Sequence, residues 1–389
     1  MLKTLNHLFI ITFFTIITTF LIWLPHYLAL PNLFGLNFSA GFGTIYRNFD
    51  GLEYIVIAKS FYNPEIIKNI PLTLPANYYA SHFPGFAYTM ILFAPFLGFL
   101  KSMLFVSLLF TIACAFAFYF LVKDFKLSSN SLFLTLVFLV LPARWLIVRN
   151  VGSAEPMFIF FCITSLYFFL KFEDLGKYKY LIYSCLLGLG AQLVRPPGIL
   201  LFIALALFVH YKYFLQAKSL GFTRAFLNHL KYFPLGLIPL GLLSIFYLYQ
   251  ITYHDFFAYF HSGDNIHLIF PPFQSLNKNE FWVGDIWLED IVLTFIFGFL
   301  GGLMLFKQKL LPLAFFVLTY TVASSFVAHR DISRYMLPVA PFVIIAFEKI
   351  LVSREFKIVL IILSVALYLY AQNFILYNTS PIQDLNPYN

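Results

Sequence analysis

The chain has 389 residues, of which 61% are hydrophobic, 21% aromatic and only 11% charged, with a mean hydropathy of +0.84. That composition excludes a soluble domain and describes a polytopic membrane protein. The formal net charge of +8 would suggest nucleic acid in a soluble protein. Here Lys and Arg sit between apolar runs, as in cytoplasmic loops, so membrane lipids are the expected surroundings and nucleic acid is excluded as a partner.

In chain order, Lys3 precedes an apolar run from Leu8 to about Leu30. At roughly 23 residues, and without a small-residue cleavage site, it reads as an uncleaved first span. A polar loop at about 31–85 follows, and then the apolar segment Phe86 to Leu100, which reaches about 22 Å as a helix against roughly 30 Å of hydrocarbon. It is expected to lie in the interface or to re-enter. Further spans are expected near 103–122, 130–148, 154–171, 180–194, 197–214, 232–250, 288–306, 310–327, 335–351 and 356–377. A second polar loop occupies about 251–287. The expectation is an all-α transmembrane bundle of about 11 spans, forming one membrane domain over 1–389. Cys114, Cys162 and Cys185 fall inside apolar runs and read as buried thiols.

With the N-terminus in the cytoplasm, this eleven-span arrangement leaves most of the 25 Lys and Arg residues inside. A twelve-crossing arrangement with the N-terminus outside does as well on charge. The eleven-span version is preferred because it gathers Asp50, His82, Arg149, Glu155, Arg195, His329, Arg330 and Arg334 on one external face. Ionisable groups near a bilayer are costly and usually functional.

The first cluster, Arg47 to Tyr54, opens a pattern read as a short amphipathic helix with Asp50, Glu53 and Tyr54 on one face. Asp50 at its N-terminus would stay ionised in the field of the helix and could deprotonate a hydroxyl nucleophile; the plainer reading is a helix cap. His82 before Phe83-Pro84 could bind a metal or a phosphate oxygen. In the run Arg149 to Pro156, Glu155 is a second acidic candidate and Arg149 a phosphate contact, although Ser153 or Glu155 could simply cap the next helix. Arg195, followed by two prolines, suits a surface turn and an anion ligand. His329, Arg330 and Arg334 supply the fork geometry that fits phosphate, Arg334 foremost because Asp331 can neutralise Arg330.

Taken in order, Arg47 to Ala58, Phe83-Pro84, Ser153 to Pro156, Val194-Arg195-Pro196 with Gly198, and Ser333 to Pro338 resemble the GT-C superfamily of integral-membrane glycosyltransferases. The resemblance is strongest to the branch that includes GPI mannosyltransferase II-like proteins. It implies an extracytoplasmic active site, a polyprenyl-phosphate-linked sugar donor, and transfer of a hexose, mannose-type by analogy, to a lipid, glycan or protein acceptor. By that similarity Asp50 is the base or a ligand of a divalent cation, Mg or Mn, with His82 its possible companion. Phe49 stands where Trp is frequent, and His82 stands where an acidic residue is frequent. The alternative is a lipid-linked-oligosaccharide flippase, in which the same arginines would hold pyrophosphate.

Overall fold

The computed structural model describes residues 2–71, 74–263, 268–284 and 287–389, and the backbone alone at Trp287. Among them the regular elements are helices: α1 (Leu2–Tyr27), α2 (Gly43–Tyr46), α3 (Gly51–Ser60), α4 (Pro64–Ile67), α5 (Pro84–Ile91), α6 (Ala94–Leu97), α7 (Phe99–Asp124), α8 (Ser131–Val140), α9 (Ala143–Val148), α10 (Glu155–Leu175), α11 (Tyr178–Val194), α12 (Gly198–Leu220), α13 (Phe222–His229), α14 (Leu237–Thr252), α15 (Ala258–His261), α16 (Trp287–Lys307), α17 (Leu311–Ser325), α18 (Ile332–Tyr335), α19 (Ala340–Ala346), α20 (Glu348–Leu351) and α21 (Arg354–Tyr377). Among the described residues six of these helices, together with the stretch Phe222–Thr252 that contains α13 and α14, are long and apolar enough to cross a membrane, and the chain is an integral membrane protein. The other four expected spans coincide with shorter helices. Two of these are short because proline removes the N–H that the next turn needs: Pro142 separates α8 from α9, and Pro338 and Pro341 interrupt the segment from α18 to α19.

The segment expected to fall short of a span does so. It is split into α5 and α6, and the eight residues of α5 rise only about 12 Å.

The chain divides into two compact units. The first comprises Met1–Phe160, Phe246–Asp264 and Glu348–Asn389; the second comprises Phe161–Ile245 and Asn265–Phe347. In the first, α1 packs on α7 and α8, and α3 packs on α5 and α7. Ile11, Ala115, Tyr119 and Leu139 form a buried cluster there. In the second unit α16 packs on α17 along small residues. A Cβ at Gly302 would stand 2.5 Å from Leu318 Cδ2, and one at Gly298 would stand 2.8 Å from Thr321 Oγ1. Glycine therefore lets these two backbones approach more closely than any side chain would permit, a recurring device where lipid offers helices no hydrophobic drive to associate.

Helix α3 departs from its expected amphipathic form. Eight of its ten residues are buried, because α5 and α7 cover it. It is an internal strut rather than a helix lying on headgroups, and Asp50 sits at the start of that strut.

Candidate active site

The Asp50 region is built from one left-handed residue and one internal helix. Phe49 has φ +49°, a conformation that costs a non-glycine residue about 1–2 kcal/mol and tends to mark functional turns. Its ring stacks on Phe374 at 5.6 Å, and the Arg144 guanidinium lies 4.1 Å from the centre of that same ring. Asp50 then takes the N-cap position of α3, but its carboxylate makes no cap hydrogen bond. It is about a third exposed, and Oδ2 lies 3.9 Å from His82 Nε2. The plain capping role is thus not the one the side chain performs.

His82 is held from several sides. Its carbonyl accepts from Tyr62 Oη at 2.6 Å and from Tyr249 Oη at 3.5 Å, and its ring stands edge-on to Tyr54 at 5.2 Å. Ser81 Oγ donates its single proton to the Tyr78 carbonyl at 2.7 Å. The 2.8 Å contact between Ser81 Oγ and His82 Nδ1 therefore needs the imidazole as donor. Nδ1 carries the proton, and the other nitrogen, Nε2, is turned toward Asp50. A lone pair and a carboxylate oxygen facing each other 3.9 Å apart are both electron donors, the pairing that a cation could bridge.

The fit to a divalent ion can be judged from these donors. One carboxylate oxygen and one imidazole nitrogen suit Mn better than Mg, which prefers an all-oxygen octahedron. Among the described residues no group of three His, Cys, Asp or Glu side chains gathers around such a position. An ion here would draw its remaining ligands from water and substrate phosphate.

Glu53 lies one turn into α3, beside Tyr79 and Tyr388. Burial, and next the Glu53 charge, push the Tyr79 phenol far above its ordinary range, and the same two causes raise Tyr388. Both stay neutral O–H donors. Burial likewise pushes Tyr62 up, which keeps its proton available for the His82 carbonyl.

The turn before α10 packs on the start of α3. A Cβ on Gly51 would stand 3.1 Å from the Gly152 carbonyl oxygen and 2.7 Å from Met103 Sδ. Glu155 follows that turn, fully buried, and accepts a short hydrogen bond from Ser153 Oγ. The segments that carry Asp50 and Glu155 thus meet through the Gly51 and Gly152 backbones, while the Glu155 carboxylate itself is buried and bonded to Ser153. Arg149 is also fully buried. Its Nε donates to the Leu139 carbonyl at 2.9 Å, and its two terminal nitrogens to Thr19 and Thr18 at 3.3 and 2.8 Å. Leu139 is in the last turn of α8, whose carbonyls have no partner within the helix, so this guanidinium closes the end of α8 and ties it to α1.

Arg195, His329 and Arg334 belong to the second unit. Arg195 follows α11 with extended backbone, and Arg334 is buried in α18. His329 Nδ1 accepts from the Asp331 N–H at 2.9 Å, leaving the ring proton on Nε2. The ring packs between Trp282 and Tyr335, at 6.2 and 5.2 Å.

Sequence reasoning missed how the tail after α21 braces this region. The Ser380 N–H donates to the Arg47 carbonyl at 2.8 Å, Arg47 reaches Ile382 and Gln383, and Lys59 Nζ donates to the carbonyls of Pro387 and Asn389 at 2.8 and 2.7 Å. One signal pointed to it: the eleven-span topology puts this polar tail on the same side as loop 31–85. The two expected external loops also meet. Asn77 Nδ2 donates to the His261 carbonyl at 3.2 Å, and Phe83 packs edge-on to Tyr259 at 5.7 Å.

The all-helical bundle, with interrupted spans and a run of short helices after the first span, shares its fold with a solved membrane-enzyme structure. Its likeness to a solved structure is with the archaeal oligosaccharyltransferase AglB from Archaeoglobus fulgidus, in complex with an inhibitory peptide and a dolichol-phosphate. The TM-score is 0.56 at 14% identity, covering 98% of this chain and 57% of that one. The chain thus spans little more than half the length of that enzyme, and the likeness is one of fold. No family model matches the chain, and no curated protein matches it.

Proposed function

We propose that this protein is a membrane glycosyltransferase that moves a hexose from a polyprenyl-phosphate donor to a lipid, glycan or protein acceptor on the extracytoplasmic face. Asp50 acts as the base. The observation that carries the reading is the Asp50 carboxylate, partly open to solvent and not spent on capping α3, 3.9 Å from an imidazole nitrogen whose ring is fixed by Ser81. Support also comes from the GT-C-like fold, since the AglB structure was obtained with dolichol-phosphate.

In the reaction the acceptor oxygen attacks the anomeric carbon while its proton passes to Asp50. The bond from that carbon to the phosphate oxygen breaks, and polyprenyl phosphate leaves with the electron pair. His82 turns Nε2 toward Asp50 at 3.9 Å; a divalent ion held by the two groups would neutralise charge on the phosphate. Arg195 and Arg334 are assigned the donor phosphate, whose growing negative charge guanidinium groups stabilise most in the transition state. Glu53 and Glu155 support the Asp50 turn from within the first unit, and Arg149 holds its scaffold.

The test is an assay of membranes containing the protein with a panel of radiolabelled polyprenyl-phosphate sugars and, in parallel, nucleotide sugars. Transfer from a lipid-phosphate sugar is the expected result. Transfer from nucleotide sugars alone, or from no donor in the panel, would overturn the proposal.

A further inference from the structure

One end of the second unit has the chemistry of a lipid-headgroup surface, independently of the reaction proposed above. Helix α12 has 23 residues and rises about 34 Å, close to the roughly 30 Å thickness of hydrocarbon. It stops at Gly221, whose φ of +82° turns the chain in a way only glycine adopts without strain. Helix α13 then folds back against α12, so residues 222–233 begin where one span ends and run to the foot of the next.

That segment has three faces. Ala225 is buried against the protein, and the His229 ring stands edge-on to Tyr213 at 5.5 Å. Phe222, Phe226 and Leu230 recur every fourth residue on another face and are 69%, 56% and 51% exposed, with Phe233 beyond them at 87%. A third face carries the exposed Arg224 and Lys231. An apolar row this open is untenable in water and fits the boundary between headgroups and acyl chains.

The charge around it selects a leaflet. Lys212 is paired with Glu173 and Tyr232, which brings the end of α10 beside α12. Tyr211 of α12 lies 6.2 Å from Phe306 of α16, which brings the end of α16 there too. Lys177, Lys218, Lys307 and Lys309 therefore join Arg224 and Lys231 at this end, all exposed, against the acidic Glu173 and Asp174. At the opposite end Glu280, Glu289, Asp290 and Asp331 offset the basic residues.

We propose that this end of the second unit is a docking face for anionic phospholipid. Phe222, Phe226, Leu230 and Phe233 enter the acyl region, and Arg224, Lys231 and the neighbouring lysines hold the phosphate groups. Each basic residue near a charged leaflet favours anionic lipid by up to about fivefold, and the preference is screened by salt.

The test uses the full chain in nanodiscs. The four tryptophans of the protein lie outside residues 161–245, so Phe233→Trp adds a local reporter whose signal is read against the parent protein. Phe226→Trp serves as a second reporter at a neighbouring position. In bilayers with a minor fraction of phosphatidylglycerol, acyl-brominated phosphatidylglycerol should quench the reporter severalfold more than its mole fraction predicts. Arg224→Gln with Lys231→Gln, or high salt, should bring quenching down toward that fraction. Absence of quenching by any brominated lipid would place the face outside the bilayer, as for a soluble partner, and overturn the proposal. Quenching in strict proportion to mole fraction, or unchanged by removal of both charges, would overturn it as well.

Discussion

Gly152→Ala tests how the Asp50 helix is seated. A Cβ at residue 152 would lie 2.3, 2.7 and 2.8 Å from Sδ, Cε and Cγ of Met103, where ordinary contacts are about 3.5–4.0 Å. Met103 is fully buried, so its thioether must retreat by about 1 Å into a close-packed core, and overpacking of this kind costs roughly 1–3 kcal/mol. Because the same sulfur lies 2.7 Å from a Cβ position on Gly51, the displaced thioether presses on the residue next to Asp50. Met103→Ala alone leaves a cavity, at about 2–5 kcal/mol. In the double variant the new methyl occupies part of that cavity, so the combined loss should fall short of the sum by about 1 kcal/mol or more. Unfolding can be followed with a thiol-reactive fluorophore, since Cys114, Cys162 and Cys185 are buried thiols. Gly152→Ala should lower the melting temperature by a few degrees and reduce transfer, and adding Met103→Ala should recover part of the transfer. Strictly additive losses, or a Gly152→Ala protein as stable as the parent, would refute the reasoning.

Three other outcomes are expected. Arg149→Met should lower thermal stability by about 1–3 kcal/mol by leaving the buried Leu139 carbonyl without its donor, and a variant that melts like the parent would contradict that role. Tyr62→Phe removes the 2.6 Å hydrogen bond to the His82 carbonyl and should reduce turnover while leaving the protein folded, as read by transfer rate beside the same melting assay. Lys59→Met deletes the donor to the Pro387 and Asn389 carbonyls, so limited proteolysis should cut residues 378–389 faster than in the parent.

The bundle was legible because its determinants are local. Apolar run length marks spans, and even the shortfall of Phe86 to Leu100 followed from helical rise. Pro142, Pro338 and Pro341 were visible too, but hydropathy averages across a proline and so 130–148 and 335–351 read as unbroken. Helix α3 misled because periodicity reports apolar positions, not what covers the others; α5 and α7 bury both its faces. At the site, Asp50 and His82 stood out as polar residues in an apolar chain. Their 3.9 Å approach, the Ser81 contact and the Tyr62 and Tyr249 hydroxyls depend on tertiary packing that no local pattern encodes. Arg149 shows the converse, since a buried guanidinium closing a helix end has the same sequence signature as a phosphate ligand.

The most direct measurement is sugar transfer by Asp50→Asn in membranes, at matched protein level and melting temperature. Asparagine keeps the shape of the side chain and removes its capacity to take a proton. The account predicts loss of transfer with protein level and folding unchanged; transfer at the parental rate would contradict it.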